Sequence, residues 1–240
     1  MTVDTILIDG TDLQTSARII QVWGGVHAVA DNRHGGFVIP QVNGVSYDTD
    51  PPFDTNTLSL GLMLRGGAPD VTGFNDAYRT LKLLCKPGRK VTLTRRLSFG
   101  AGNEDHTADA RYYSGLSPDM QTPADGKLVL NFLILSGLWY GPTVATTPGT
   151  RTITGEAVTR RMTLALPGAG TLTNTTLGIS VTVTATATLD VKAETSTGSV
   201  LDVVTSGDPL GAWFALAPGS NVITWSGAGT PTITYYPAYL

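Results

Sequence analysis

The sequence is short of the residues that crosslink a protein, bind metal ions or cross a membrane. Its one cysteine, Cys85, cannot form a disulfide within the chain, which is typical of proteins that fold in a reducing cytoplasm. The three histidines, His27, His34 and His106, are scattered and do not form the close group of a zinc site. No run approaches the ~20 apolar residues of a membrane helix, and the first twenty residues do not resemble a signal peptide. We therefore expect a protein made and assembled in a cytoplasm, with no membrane partner.

The sequence also has few charged residues and no recognisable catalytic motif. Only 15% of the residues are charged, the net charge is -3, and the pI is near 5.5. No cluster of lysine and arginine is present, so a surface that neutralises DNA phosphates is not expected. There is no G-x-S-x-G elbow, Walker loop or dinucleotide fingerprint. The sequence predicts a protein that is not an enzyme, with no catalytic residues, no metal and no cofactor.

What the sequence has is glycine, proline, threonine and valine, a composition that favours strands joined by tight turns. The 240 residues are enough to bury a core without disulfides. The composition changes near residue 141, after which threonine, alanine, glycine and valine dominate. Gly141–Gly149 contains two prolines and small residues and is predicted to be a linker. We expect an N-terminal domain at 1–140 and a C-terminal domain at 150–240.

Periodicity indicates the elements of the first part. Strands are predicted at Thr5–Ile8, before the turn signal Asp9-Gly10, and in the alternating segments Leu58–Leu64 and Val91–Arg96. Further apolar strands are predicted at Ile19–Trp23, Phe37–Ile39 and Leu128–Leu135.

One helix is predicted at Asn75–Cys85, with Asn75 or Asp76 as its N-cap. Phe74, Tyr78, Leu81 and Cys85 form one apolar stripe along it, which predicts a buried thiol rather than a nucleophile. The helix is expected to end at Pro87-Gly88.

The second part is predicted to be an antiparallel β-sandwich. Ser180–Glu194 alternates between aliphatic and mainly threonine residues over its whole length, so we predict one long strand there. Val222–Trp225 and Thr230–Tyr235 are two further strands.

The acidic loop after Tyr47 is a candidate calcium site. Asp48, Asp50 and Asp54 offer closely spaced carboxylates. An EF-hand loop that started at Asp48 would need glycine and glutamate where Phe53 and Ser59 stand, so a solvated turn is the favoured interpretation.

A second polar cluster, Asn103–His106, contains two adjacent carboxylates. Neighbouring side chains tend to point apart, which argues against the paired acids of a glycoside hydrolase. We expect a mobile loop.

The C-terminal segment carries the most specific pattern. Gly211–Asn221 contains the loop sequence LAPGSN, in which Pro218-Gly219 turns the chain and Asn221 bonds its own backbone. Trp213 and Trp225 flank this loop and are expected to fill the core. The alternative is a platform for a glycan or a partner, made by these two tryptophans with Tyr236 and Tyr239.

This C-terminal segment resembles that of distal tail proteins, also called minor tail proteins, of long-tailed, siphovirus-type phages of actinobacteria. The features of residues 1–140 resemble the same family more loosely. The resemblance implies a tail-tube-like ring domain of sandwich or barrel type, followed by a galectin-like β-sandwich, in an all-β protein with one short helix.

The resemblance also implies a structural component of the virion tail tip. The implied partners are five further copies of the chain in a hexameric ring, the tail tube protein, the tape-measure protein and other baseplate proteins. DNA would pass through the ring without specific binding. The alternative is a carbohydrate- or receptor-binding module at the tail tip, and a tail hydrolase is a more distant hypothesis.

Overall fold

The structure, a computed structural model, describes residues 5–13, 19–24, 56–65, 71–86, 88–99, 102–122, 125–198 and 213–240. The chain divides into two compact units, Met1–Trp139 and Tyr140–Leu240. The acidic loop with Asp48, Asp50 and Asp54, the predicted strand Phe37–Ile39, and His27 and His34 lie outside the described residues.

The first unit is built on one antiparallel sheet in which β1 and β2 form a hairpin at one edge. The order of its strands is β2-β1-β5-β6-β8-β4-β3, and β7 pairs with β8 beside this path. The elements are β1 (Thr5–Ile8), β2 (Thr11–Asp12), β3 (Ile19–Gly24), β4 (Asn56–Arg65), α1 (Val71–Leu84), β5 (Lys90–Phe99), β6 (Gly102–Ser114), β7 (Asp119–Thr122), β8 (Asp125–Ile134) and β9 (Trp139–Tyr140).

Alternation places one face of this sheet in the core. Leu58, Leu60, Leu62 and Leu64 of β4 are buried, and β8 pairs with β4 along its whole length. Each buried leucine contributes about 1.5–3 kcal/mol relative to an exposed one. The predicted strand at Thr5–Ile8 is confirmed with the same bounds. Those at Ile19–Trp23, Leu58–Leu64, Val91–Arg96 and Leu128–Leu135 are confirmed in slightly longer or shifted form.

The helix is confirmed, but its predicted cap is wrong. α1 begins at Val71, so Asn75 and Asp76 lie inside it and are exposed. The first turns of α1 already carry buried apolar residues, Phe74 and Ala77, so the apolar stripe extends to the earlier start. Cys85 follows the last turn and is buried, and burial raises the pKa of its thiol to about 12. The thiolate is therefore absent near neutral pH, as expected for a structural cysteine.

The end of α1 is tied to the β1–β2 turn by one arginine. The Arg89 Nη1 donates to the carbonyl oxygen of Leu83, and its Nη2 donates to the Asp9 Oδ2 at 2.7 Å. The Asp9 Oδ1 accepts from the backbone N–H of Thr92. Asp9 and Gly10 both have positive φ angles, so the predicted turn at this dipeptide is confirmed.

The second unit contains two antiparallel sheets. In the described residues one sheet has the order β10-β18-β12-β15-β16 and the other β11-β17-β13-β14. The strands are β10 (Val144–Thr146), β11 (Gly149–Ile153), β12 (Met162–Leu166), β13 (Gly170–Asn174), β14 (Ile179–Val183), β15 (Ala187–Asp190), β16 (Thr195–Gly198), β17 (Gly219–Trp225), β18 (Thr232–Tyr235) and β19 (Ala238–Tyr239).

Side chains from both sheets form one apolar cluster between them, and threonines occupy many outward positions. Leu164, Leu189 and Ile233 come from the first sheet, and Leu172 and Val181 from the second. The predicted strands at Val222–Trp225 and Thr230–Tyr235 are confirmed as β17 and β18. The expected fold class, mainly antiparallel β with one short helix, is confirmed for the described residues, and the second unit is the expected sandwich.

The prediction of one long strand at Ser180–Glu194 is wrong. The segment forms β14 in one sheet and β15 in the other, with bends at Thr184–Thr186 between them and a turn after Asp190. Both strands keep the same inward alternation, so periodicity alone does not reveal the change of sheet. Ala185, which continues the alternation in the sequence, lies at the bend and is only half-buried.

The predicted linker Gly141–Gly149 is also corrected. These residues contain β10, which pairs with β18, and the first residue of β11, which pairs with β17. The two prolines, Pro142 and Pro148, lie just outside β10 and limit its length, since proline cannot donate to a ladder. Residues 141–149 are therefore part of the second unit.

A fragment test follows from this boundary. We expect Tyr140–Leu240 to unfold cooperatively in isolation, because its core draws on both of its own sheets. A shorter fragment, 150–240, lacks β10 and should unfold at a lower urea concentration. Tryptophan fluorescence measures both transitions, and a fragment 140–240 without a cooperative transition would contradict the division.

Candidate assembly and binding surfaces

The LAPGSN loop is held by two fully buried asparagines, Asn174 at the end of β13 and Asn221 in β17. The Asn174 Nδ2 donates to the Asn221 Oδ1 at 2.9 Å and to the Ala215 carbonyl oxygen at 3.0 Å. The Asn174 Oδ1 accepts from the backbone N–H of Thr176. The pair thus joins the loop before β17 to the turn that follows β13.

Asn221 completes the loop from inside. Its Oδ1 also accepts from the Ala217 N–H, and its Nδ2 donates to the carbonyl oxygens of Ala217 and Gly219 at 2.7 and 3.1 Å. Gly219 has a φ of 86°, a conformation that favours glycine. The predicted bonds from Asn221 to its own backbone are confirmed. We call the hydrogen bonds of Asn174 and Asn221 that hold the LAPGSN loop the lock.

Trp213 and Trp225 lie at the margin of the core and not at its centre. Both are half-buried and pack against the apolar cluster, whereas Phe214 between them in sequence is completely buried. The Trp225 Nε1 donates to the Ala228 carbonyl oxygen at 3.3 Å. A Cβ atom at Gly170 or Gly227 would collide with the Trp225 indole. The ring therefore packs closely against the backbone of these two glycines, which holds it in place.

Tyr236 stacks on an arginine. The Arg161 guanidinium lies 4.7 Å from the centre of the Tyr236 ring and 5.0 Å from that of Tyr140. The backbone N–H of Tyr236 donates to the Arg161 carbonyl oxygen, and its own carbonyl oxygen accepts from the Thr159 hydroxyl. These contacts give Tyr236 a role in packing that the sequence pattern did not indicate.

The four candidate contact residues do not share one sheet. Trp225 ends β17 in the β11-β17-β13-β14 sheet, whereas Tyr236 follows β18 of the other sheet. Trp213 precedes the locked loop, and Tyr239 lies in β19. All four are half-buried. A contact with glycan or protein through any of them stays a prediction.

The first unit contains a buried polar network that the sequence did not indicate. The Arg95 Nε and Nη2 lie 3.2 and 3.1 Å from the His106 Nδ1, and the His106 Nε2 lies 2.9 Å from the Glu104 Oε1. Arginine only donates, so the Nδ1 accepts and the Nε2 carries the proton donated to Glu104. The Arg95 guanidinium also lies 4.9 Å from the centre of the buried Trp139 ring.

The expectation of a mobile loop at Asn103–His106 is therefore wrong. These residues lie in β6, where Glu104 and His106 face the buried network and Asp105 faces the other side. The Arg96 guanidinium donates to both oxygens of Asp105 at 2.8 and 2.9 Å, which lowers the pKa of that carboxyl. The four consecutive polar residues 103–106 hide the strand in the sequence, and only Ala108-Asp109-Ala110 alternates.

Within the described ranges, no group of three or more histidine, cysteine, aspartate or glutamate side chains is close enough to hold a metal ion. No helix in those ranges has the length and apolar character needed to cross a membrane.

Comparison with solved structures identifies the fold. The chain aligns with the Dit protein of phage SPP1 over 100% of both chains, with a TM-score of 0.66 and 20% identity. That protein is described as a paradigm of the hub of adsorption apparatus in phages that infect Gram-positive bacteria. Two structures of the phage P2 baseplate in its activated conformation, with Ca and with Sr, align over 98% of each chain at a TM-score of 0.42 and 10% and 11% identity. No protein-family model and no curated protein sequence matches the chain.

The lock predicts a large effect from a single substitution. Asn221→Ala removes one of the two acceptors of the buried Asn174 Nδ2 and the bonds that Asn221 makes to the backbone of Ala217 and Gly219, which costs roughly 2–4 kcal/mol of unfolding free energy. Thr224→Ala, on the exposed face of the same strand, should change it by about 0.5 kcal/mol or less. Urea denaturation measures both, and equal stability of the two variants would contradict the lock.

Proposed function

We propose that this chain is a distal tail protein, a non-catalytic structural component at the tail tip of a long-tailed phage. The observation that supports the proposal is the similarity in fold to SPP1 Dit over the full length of both chains. The resemblance of the C-terminal segment to minor tail proteins of actinobacteriophages points to the same role independently of the structure.

The contacts of the polar side chains in both units favour a scaffold. Asn174 and Asn221 lock a loop, Arg95 and His106 lie in a buried network, and Arg161 stacks between two tyrosines. Each of these polar groups stabilises the position of a segment, as a protein needs when its activity is to hold neighbours at fixed places. A geometric role of this kind needs no reacting group.

The proposed assembly is a sixfold ring around a channel, in which the first unit forms the ring. Cyclic symmetry follows when one head-to-tail interface repeats through a rotation that closes. The ring would join the tail tube protein and the tape-measure protein to the other baseplate proteins, in virions assembled in the host cytoplasm. An obligate interface between copies would exceed about 2,000 Å².

The charge of the chain suits a channel for DNA. The net charge of -3 gives no excess of positive groups to hold phosphates in passage. In β5 and β6 the Arg96 guanidinium is already neutralised by Asp105. DNA would therefore pass without specific binding.

Imaging of intact tails tests the ring. Density for this chain should appear at the junction of tube and tip with sixfold symmetry. Threefold density, or a location on peripheral fibres, would refute the ring. A gene that directly follows a very long tape-measure reading frame would add independent support.

The runner-up function is carbohydrate or receptor binding by the second unit, and the fixed, half-exposed ring of Trp225 favours it. A rigid indole loses little entropy when a sugar stacks on it. If this is the function, Trp225→Ala should abolish binding on a glycan array with the fold intact. Thr197→Ala, an exposed substitution in β16, should leave binding unchanged. Absence of any bound glycan for the wild-type protein would remove this candidate.

A further inference from the structure

Exposed lysine and arginine residues surround the end of α1. Arg79, Lys82 and Lys86 follow one another at spacings of three and four residues, which places the first two on one side of the helix and the third at its end. All three are exposed. Leu83 lies among them and is 56% exposed, more than any other large hydrophobic side chain in the described residues. This side of the helix therefore combines positive charge with an apolar side chain.

The segments that follow α1 extend this positive surface. Arg89 donates to the last turn of the helix, and the backbone N–H of Gly88 donates to the carbonyl oxygen of Tyr112 in β6. Lys90 at the start of β5 lies directly opposite Arg111 in β6, and both are exposed. These cations form no run in the sequence, so only the helix and the strand register bring them together. We call the group formed by Arg79, Lys82, Lys86, Arg89, Lys90 and Arg111 the basic ridge.

Most of the basic ridge has no acidic partner within the described part of the chain. Arg89 pairs with Asp9, and the Lys82 ammonium lies 4.2 Å from the centre of the Tyr78 ring. Among the described contacts, none joins the other four members of the ridge to a carboxylate. The positive charge of the ridge is therefore left largely uncompensated.

The basic ridge is unfavourable in the separate chain. Like charges repel when they lie directly opposite on two strands or three to four residues apart on a helix. One exposed lysine needs no partner, whereas six neighbouring cations with a single ion pair among the described contacts repel one another until opposite charge covers them. Leu83 adds the apolar area that is typical of the centre of a protein interface, which favours a protein over a polyanion as the occupant.

The distribution of charge in the chain indicates which protein this is. Six of the 16 lysine and arginine residues belong to the ridge, which leaves ten for the rest of the chain beside all 19 acidic residues. No acidic residue occurs between Ala77 and Asn103. Outside its ridge, a second copy of the chain is therefore negatively charged overall, and it complements the ridge.

We propose that the basic ridge of one copy binds an acidic surface of the neighbouring copy, with Leu83 at the centre of the contact. This inference rests on the proposed function, because the ring is the assembly in which the contact repeats. A head-to-tail contact joins two different surfaces of the chain and so brings unlike charges together, whereas a two-fold contact would set ridge against ridge. Covering the ridge in this way also keeps its cations from the phosphates of passing DNA.

The first test is crosslinking in assembled particles. Phage whose copy of the gene is inactivated is supplied with a tagged chain that carries p-benzoylphenylalanine at Leu83, or at the exposed Thr197 of the second unit as a control. Irradiation of purified virions should give a product of twice the mass of the chain from the Leu83 position and not from the control. Mass spectrometry should find an aspartate or glutamate in the crosslinked peptide of the second copy.

The outcomes of this experiment separate the inference from the proposed function. A crosslink from the Leu83 position to another tail protein or to DNA, or no crosslink at all, would overturn the inference alone. Virions that lack even the tagged wild-type chain would overturn the proposed function itself. If the larger ring at Leu83 prevents incorporation, the exposed Thr80, one turn earlier, serves as the position of the crosslinker.

The second test reverses the charge of the ridge. Arg79→Glu together with Lys86→Glu should lower the number of copies incorporated per virion by about tenfold or more. Arg65→Glu together with Lys127→Glu changes two exposed cations of the first unit outside the ridge and should leave this number unchanged. Urea midpoints near that of the wild type confirm that both variants fold. Changing the crosslinked acidic residue to lysine in the same chain should restore incorporation of the ridge variant. Normal incorporation of the ridge variant, or no restoration by this exchange, would contradict the proposed contact.

Discussion

The second unit depends on the hydrogen bond between the buried amides of Asn174 and Asn221. The residues that it joins come from neighbouring strands of one sheet, but the bonds reach the loop that contains Ala215 and Ala217. That loop also pairs with Thr159 through Leu216, and Thr159 holds the carbonyl of Tyr236 beside the other sheet. Because buried amides cost several kcal/mol when unpaired, an arrangement of these segments that breaks these bonds is strongly disfavoured. The pair therefore fixes both the loop and the relation between the sheets.

The first unit also contains buried polar side chains that need partners, and one of them is charged. Arg95 is buried, with the Trp139 ring and His106 as its neighbours. The His106 imidazole accepts from Arg95 at Nδ1 and donates from Nε2 to Glu104, which is half-exposed. An arginine in an apolar core would be costly alone, whereas here its guanidinium has both a ring face and an acceptor. Each unit thus contains a short network of buried polar side chains.

The sequence predicts much of the first unit because its strands alternate and its helix has one apolar stripe. Leu58–Leu64 and the stripe from Phe74 to Cys85 are local patterns, and local patterns decide which face is buried. The sequence does not predict that Ser180–Glu194 changes sheets, because β14 and β15 have the same alternation. It gives no sign of the Arg95–His106 contact, since pairing across β5 and β6 depends on register. Asn174 could have been found from its inward position two residues after Leu172.

The pairing of β10 has a consequence for how the chain is made. Val144 lies opposite Tyr235, and Gly149 lies opposite Ile223, so the strands that begin the second unit find their partners only in residues that the ribosome adds much later. During translation these early strands would remain as unpaired edges, which are prone to wrong association. Contacts so distant in sequence also slow closure. The second unit can therefore complete its sandwich only after its last strands have left the ribosome.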